Sequence, residues 1–223
     1  MTDFAAARRM MVDGQVRTSD VTDRRLIAAM LEVPRERFVP PTQAALAYLD
    51  LDMPVTPPGK GVQVRRLLKP MVLAKLIQAA EVGANDRVLD IGCATGYSSA
   101  VLAQLARSVI ALEEDAALAR IAAENLTAVA AARAAVVSGP LTQGWTKEAP
   151  YDVILLNGAV EIAPEALFRQ LEHGGRLVGV VRRAGLGQAM LYRAIEGDVS
   201  GRPIFDAAAS LLPGFAAPPA FVF

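Results

Sequence analysis

The stretch VLDIGCATGYSSAVLAQL, Val88–Leu105, joins a short apolar run to a helical one through a turn holding Gly92 and Gly96. A glycine turn in that place lets backbone approach a ligand closely, and the helix behind it offers free N–H groups. Asp90 sits at the end of the apolar run, and Glu113 ends the next one, in VIALEED. A carboxylate at the second position can accept both hydroxyl protons of a ribose. The spacing Gly92-x-x-x-Gly96 departs from the G-x-G-x-x-G of dinucleotide sites, and Asp90 would repel a pyrophosphate while it can hold an ammonium. A ligand with ribose and ammonium but no phosphate is S-adenosylmethionine. The plainer alternatives are a glycine-rich strand–helix turn with no ligand and a solvated charge at a strand end.

Other polar residues offer less. Cys93, in the turn, and His173 are the single cysteine and the single histidine, too few for a Cys/His metal site. They are far apart in sequence, which disfavours a thiol–imidazole pair; Cys93 reads better as a small apolar lining. Tyr97 and Ser98 open the helix after the turn and either face the ligand or cap and pack. Asn157 ends the run YDVILLN, where an amide can reach the acceptor region or serve a turn. Trp145 packs under an adenine or anchors its own loop.

The elements that must carry these residues follow from local patterning. Thr2–Val16 and the segment from Thr22 read as helices, with Thr22 as N-cap and Leu26, Ile27, Met30 and Leu31 as a buried stripe. Positions 47–70 are rich in proline and glycine, as in a long functional loop. From Pro70 onward strands and helices alternate: MVLAKLIQAAEV helix, DRVLDIG strand, YSSAVLAQLA helix, SVIALEED strand, AALARIAAENLTAVA helix, AAVVSG strand, YDVILLNGAV strand, PEALFRQLE helix, GRLVGVV strand. That order predicts an α/β fold: a mostly parallel sheet with helices on both faces. Two extended runs around a Gly/Asp/Ser turn add a C-terminal antiparallel hairpin. PGFAAPPAFVF then forms an extended strap or a contact surface. The expected division is a helical N-terminal segment with a cleft-covering loop, 1–69, and a Rossmann-like ligand-binding unit, 70–223.

Composition narrows the partners. Of 223 residues 53% are hydrophobic, enough for a large core, and Lys+Arg and Asp+Glu both number 23. A zero net charge argues against nucleic acid or an acidic membrane held through excess positive charge. The arginine-broken N-terminus does not read as a secretion signal, and no run approaches the ~18 apolar residues of a membrane span. With a lone cysteine these features fit a cytoplasmic location.

Several segments occur in a characteristic order: VPRERFVP (Val33–Pro40), AYLD (Ala47–Asp50), Lys69–Pro70, VLDIGCATGYSSAVLA, GWTKEAPYDVI (Gly144–Ile154) and QLEHGGRLV (Gln170–Val178). Over roughly residues 10 to 195 the chain resembles the protein-L-isoaspartate O-methyltransferase family of Rossmann-like methyltransferases. The resemblance implies S-adenosylmethionine as cofactor, S-adenosylhomocysteine as product, and a peptide or protein acceptor with a free carboxylate. It implies cofactor contacts at Asp90, Gly92, Cys93, Ala94, Gly96, Tyr97, Ser98, Glu113, Glu114, Pro140, Leu141 and Asn157. A carboxylate is already nucleophilic at neutral pH, so alignment and desolvation matter more than a general base.

Two positions depart from the family. Leu68 stands where a serine beside the acceptor is usual, and Pro140 where an aspartate is expected on the adenine. Ala94 replaces a glycine, which costs one methyl group of clearance. A lost cofactor hydrogen bond costs about 0.5–1.5 kcal/mol, so Pro140 weakens binding without abolishing it. Lys60, Arg65, Arg66 and Lys69 surround the loop into Pro70. They either grip the acceptor carboxylate in place of the serine or form a solvated basic loop. The departures leave two further readings open: a methyltransferase with another acceptor, and a non-catalytic protein acting through binding.

Overall fold

The computed structural model describes residues 3–56 and 64–218. The chain opens with α1 (Phe4–Met11), where Asp3 Oδ1 accepts from the Ala6 N–H at 3.0 Å. The long helix expected to Val16 instead loosens after Met11 into a π-helical turn, Val12–Val16, and a 3-10 turn, Arg17–Ser19. The hydroxyls of Thr18 and Ser19 donate to the carbonyls of Gly14 and Gln15, at 2.8 and 2.7 Å. Such back-bonding bends helices. In α2 (Arg24–Glu32) the cap is Asp23 rather than Thr22: its Oδ1 accepts from Arg25 N and Leu26 N at 2.8 and 3.3 Å. A carboxylate at a helix N-terminus also gains from the dipole. Leu26, Ile27 and Met30 are buried as the stripe required, and Leu31 packs against the same core.

A two-residue ribbon follows, β1 (Met53–Pro54) antiparallel to β2 (Arg66–Leu67). Then come α3 (Pro70–Ala79), β3 (Arg87–Ile91), α4 (Tyr97–Leu105), β4 (Ser108–Glu113), α5 (Ala116–Ala128) and β5 (Ala134–Ser138). The chain continues through β6 (Tyr151–Val160), α6 (Glu165–Phe168), β7 (Leu171–Arg183), β8 (Leu186–Ile195) and β9 (Asp198–Asp206). The seven-stranded sheet runs β5-β4-β3-β6-β7-β8-β9, with β5 to β7 parallel and β8 and β9 antiparallel. Winding reverses between β3 and β6, which places the ligand crevice at their carboxyl ends. Alternate residues serve opposite faces: Val88, Val109, Val153 and Leu155 pack with the N-terminal helices, and Leu89, Ile110, Leu112, Ile154 and Leu156 on the other side.

The helix expected over PEALFRQLE is a single turn, Glu165–Phe168. Gln170 explains the early stop. Its buried amide donates to the carbonyls of Gln143 and Ala166 and accepts from Trp145 N, while its own carbonyl accepts from Tyr151 N as β7 begins. After β9 the chain forms a strap across the carboxyl end of β6. Ala159 N donates to Ser210 O and Leu212 N to Ala159 O, both at 2.8 Å, and Leu212 and Phe215 are buried. Gly158 makes room, since a Cβ there would lie 2.8 Å from both Leu212 and the Ser210 carbonyl. The final five residues of the sequence lie outside the described residues. Among the described residues no helix is long and apolar enough to cross a membrane.

Candidate cofactor and acceptor site

The turn after β3 is held by its neighbour strand: Gly92 N and Cys93 N both donate to Leu112 O, at 2.8 and 3.2 Å, and Gly96 N closes back on Cys93 O at 2.8 Å. Gly92, Ala94 and Gly96 all have positive φ, +73°, +52° and +94°. Ala94 therefore also carries a conformational cost, on the order of 1–2 kcal/mol for a left-handed residue with a Cβ. The Ala94 N–H donates to Glu113 Oε2 at 2.8 Å and holds that conformation.

Two fully buried carboxylates flank the turn. Asp90 Oδ2 accepts from the hydroxyls of Ser98 and Ser99 at 2.7 and 2.5 Å, and Oδ1 accepts from Asn157 Nδ2. Asn157 also donates to Ser98 Oγ at 2.8 Å. These partners are all neutral. Burial, with the charge of Glu113 adding to it, pushes the Asp90 carboxyl up to about 6 against the opposing serine bonds. The same burial, with the charges of Asp90 and Glu113, raises the Cys93 thiol well above its usual range. Cys93 is thus an un-ionised lining side chain. His173 is exposed at the opposite end of the sheet, near the start of β7, so the two do not meet.

Glu113 is bound differently. Arg65 grips it with a two-toothed fork, Nη1 to Oε1 and Nη2 to Oε2, both 3.0 Å, and Nη2 also donates to Gly92 O at 3.0 Å. The backbone N–H groups of Glu114 and Asp115 donate to Oε1 at 3.0 and 3.2 Å. The basic loop thus resolves in a way neither alternative described: Arg65 grips a carboxylate of its own chain. Arg66 turns to the Asp52 carbonyl at 3.2 Å, and Lys69 N donates to Asp52 Oδ1 at 2.8 Å. Lys60 lies outside the described residues.

On the far side of the turn Glu114 is exposed and its Oε2 lies 3.5 Å from Leu141 N; Pro140 is exposed and Leu141 fully buried. Trp145 lies with its ring edge toward Gly139. Tyr97 is buried with its ring beneath the Arg35 guanidinium, 4.6 Å from centroid to Cζ, and edge-on to Phe38 at 5.5 Å. Arg35, which is fully buried, donates from Nε to Ala47 O and from Nη2 to Leu68 O, both at 2.8 Å. This ties VPRERFVP and AYLD to the loop carrying Leu68. Leu68, Tyr97, Ser98 and Asn157 line one small cleft beside Gly92.

Residue types and available space disagree. Glu113 and the glycine turn suit the ribose of S-adenosylmethionine, yet the Arg65 guanidinium already lies on Glu113 and on the Gly92 carbonyl. A Cβ at Gly92 would lie 2.9 Å from both Arg65 Nη2 and Leu212 Cδ2, so the clearance the glycine creates is taken by this chain's own side chains. With Arg65 on Glu113, both carboxylate oxygens beside the turn are taken by a side chain of this chain. Sequence reasoning missed three contributors: Arg35, Leu212 and Ser99. Arg35 stood inside a quoted motif, while Leu212 carried no local signal.

Residues 7–203 match the family described as protein-L-isoaspartate(D-aspartate) O-methyltransferase. A protein-L-isoaspartate O-methyltransferase of Methylorubrum populi is 41% identical over 192 residues, covering 86% of this chain and 85% of that protein. Its counterpart in Koribacter versatilis is 37% identical over 178 residues, covering 80% and 78%. A solved protein-L-isoaspartate O-methyltransferase superposes with a TM-score of 0.81 at 24% identity, covering 93% of this chain and 66% of that one. A second, a beta-aspartate methyltransferase from Plasmodium falciparum in complex with S-adenosyl-L-homocysteine, gives 0.74 at 20% identity, covering 92% and 97%. These structural likenesses show the fold, and the sequence relatives the family. The chain belongs to the protein-L-isoaspartate(D-aspartate) O-methyltransferase family of S-adenosylmethionine-dependent enzymes.

Proposed function

We propose that the protein methylates free carboxylates of isoaspartyl residues in peptides or proteins, with S-adenosylmethionine as the methyl donor. The observation that carries this reading, in a chain of this family, is Glu113 set under the 92–96 turn at the sheet's switch point, bonded to Ala94 N. The acceptor side supports it. Arg35 holds the Leu68 carbonyl and stacks on Tyr97, so the loop before α3 is fixed against the start of α4. A carboxylate acceptor needs this kind of positioning rather than proton removal. The cofactor contacts inferred from the sequence remain part of the proposal, with Asp90 acting through Ser98, Ser99 and Asn157 rather than presenting free oxygens. A cytoplasmic location fits the same repair role.

The test is methyl transfer to an isoaspartyl peptide beside a working enzyme of the family; no turnover with a folded protein would end the assignment. One observation favours a different acceptor: the side chain at the usual serine position is the buried, apolar Leu68. Leu68→Ser separates the two. A rise of roughly tenfold in kcat/KM on the isoaspartyl peptide, worth about 1.4 kcal/mol, marks Leu68 as limiting for that substrate. An unchanged or lower value points to an acceptor that uses the leucine.

A further inference from the structure

We propose that Arg65 is an internal ligand of the cofactor site, occupying on Glu113 the place a ribose diol would take, so that cofactor enters only by breaking the Arg65–Glu113 pair. The inference rests on the functional reading above. A guanidinium edge and a vicinal diol present the same thing to a carboxylate: two donors side by side. Glu113 has about four lone-pair sites, and within the described residues it receives five hydrogen bonds, two from Arg65 and three from backbone N–H groups of Ala94, Glu114 and Asp115. With Arg65 in place no capacity is left for ribose hydroxyls. With Arg65 withdrawn, each oxygen loses one donor while the three backbone donors stay, and a diol can present its two hydroxyls at the two donor positions that the fork held.

Position supports the same conclusion. The third Arg65 bond goes to the carbonyl of Gly92, the residue that lacks a side chain at this point. The guanidinium thus sits in the glycine's clearance as well as on the acid. Arg65 N donates to Thr56 Oγ1 and its carbonyl accepts from Val55 N, both at 2.9 Å, beside a ribbon of only two residue pairs. Withdrawing the Arg65 side chain alone breaks the three guanidinium bonds and uncovers the acid, while the ribbon, where Met53 and Leu67 are buried, stays in place.

Removing Arg65 therefore has opposite consequences under the two possible roles. If Arg65 only braces the site, its loss weakens cofactor binding. If it competes for Glu113, its loss tightens binding. Calorimetric titration of the full chain with S-adenosylhomocysteine reads the difference in wild type, Arg65→Ala and Arg65→Lys. The expected result is a Kd at least tenfold lower for Arg65→Ala, with Arg65→Lys between, since lysine keeps the charge but not the planar fork. Should Arg65→Ala fail to fold, Arg65→Lys decides alone by the same sign. Equal or weaker binding by the variants than by wild type overturns the proposal and leaves the methyltransferase reading standing. No binding by any folded form overturns both.

Discussion

Asp90 and Glu113 end neighbouring strands and are equally buried, yet the protein satisfies them by opposite means. Asp90, on the β3 side, is met by two hydroxyls and an amide, all neutral. Glu113, on the β4 side, is met by a guanidinium and three backbone N–H groups. Neutral donors solvate a carboxylate without compensating its charge, so burial dominates and the Asp90 carboxyl rises to about 6. A charged partner compensates Glu113 but makes its stability contingent on that partner staying. The first arrangement suits a fixed internal strut, since no displaceable charge is involved. The second suits a site that exchanges one ligand for another.

Breaking the charged member should cost most. Glu113→Ala leaves Arg65 buried without its counter-charge and three N–H groups without an acceptor. The expected loss is about 3–5 kcal/mol, measured by denaturant unfolding at neutral pH.

The neutral member should show itself in pH dependence. Its folded carboxyl is raised from the usual range to about 6, so the folded protein keeps a proton that the unfolded chain has already released. The resulting stability is fully present below about pH 4 and is lost as pH rises through about 6, on the order of 3 kcal/mol in total. Asp90→Asn should remove that dependence and be more stable than wild type at pH 7.5 relative to pH 4.5. Parallel unfolding curves at the two pH values for both proteins would contradict the assignment.

A third acid nearby sets the lower end of the scale. Asp115 is exposed and caps α5, accepting from Ala117 N and Leu118 N at 2.8 and 3.1 Å. Asp115→Ala should cost only about 1 kcal/mol, read as a small shift in unfolding midpoint. A cost approaching that of Glu113→Ala would mean that burial is not what separates these acids.

Hydrophobic period and glycine placement made most of the sheet legible in advance, because both are local signals. The strand ends at Asp90 and Glu113 and the turn at Gly92–Gly96 needed no partner to be recognised. Misreadings arose where a distant group competed with local preference. Gln170 recruits the chain into β7 and cuts the expected helix to one turn. The cap of α2 is a local exception: Asp23, the residue after Thr22, takes the role because its side-chain oxygen reaches two N–H groups.

The sequence by itself determined the fold class, the turn and the pair of acids beside it, since these follow from residue types a few positions apart. Only the tertiary structure decided what those acids hold. Arg65 and Glu113 are 48 positions apart, and Leu212 reaches Gly92 from the strap after the last strand. Whether a basic loop is solvated, grips a substrate or closes on its own chain depends on which buried charge it can reach, and that distance exists only once the sheet has formed.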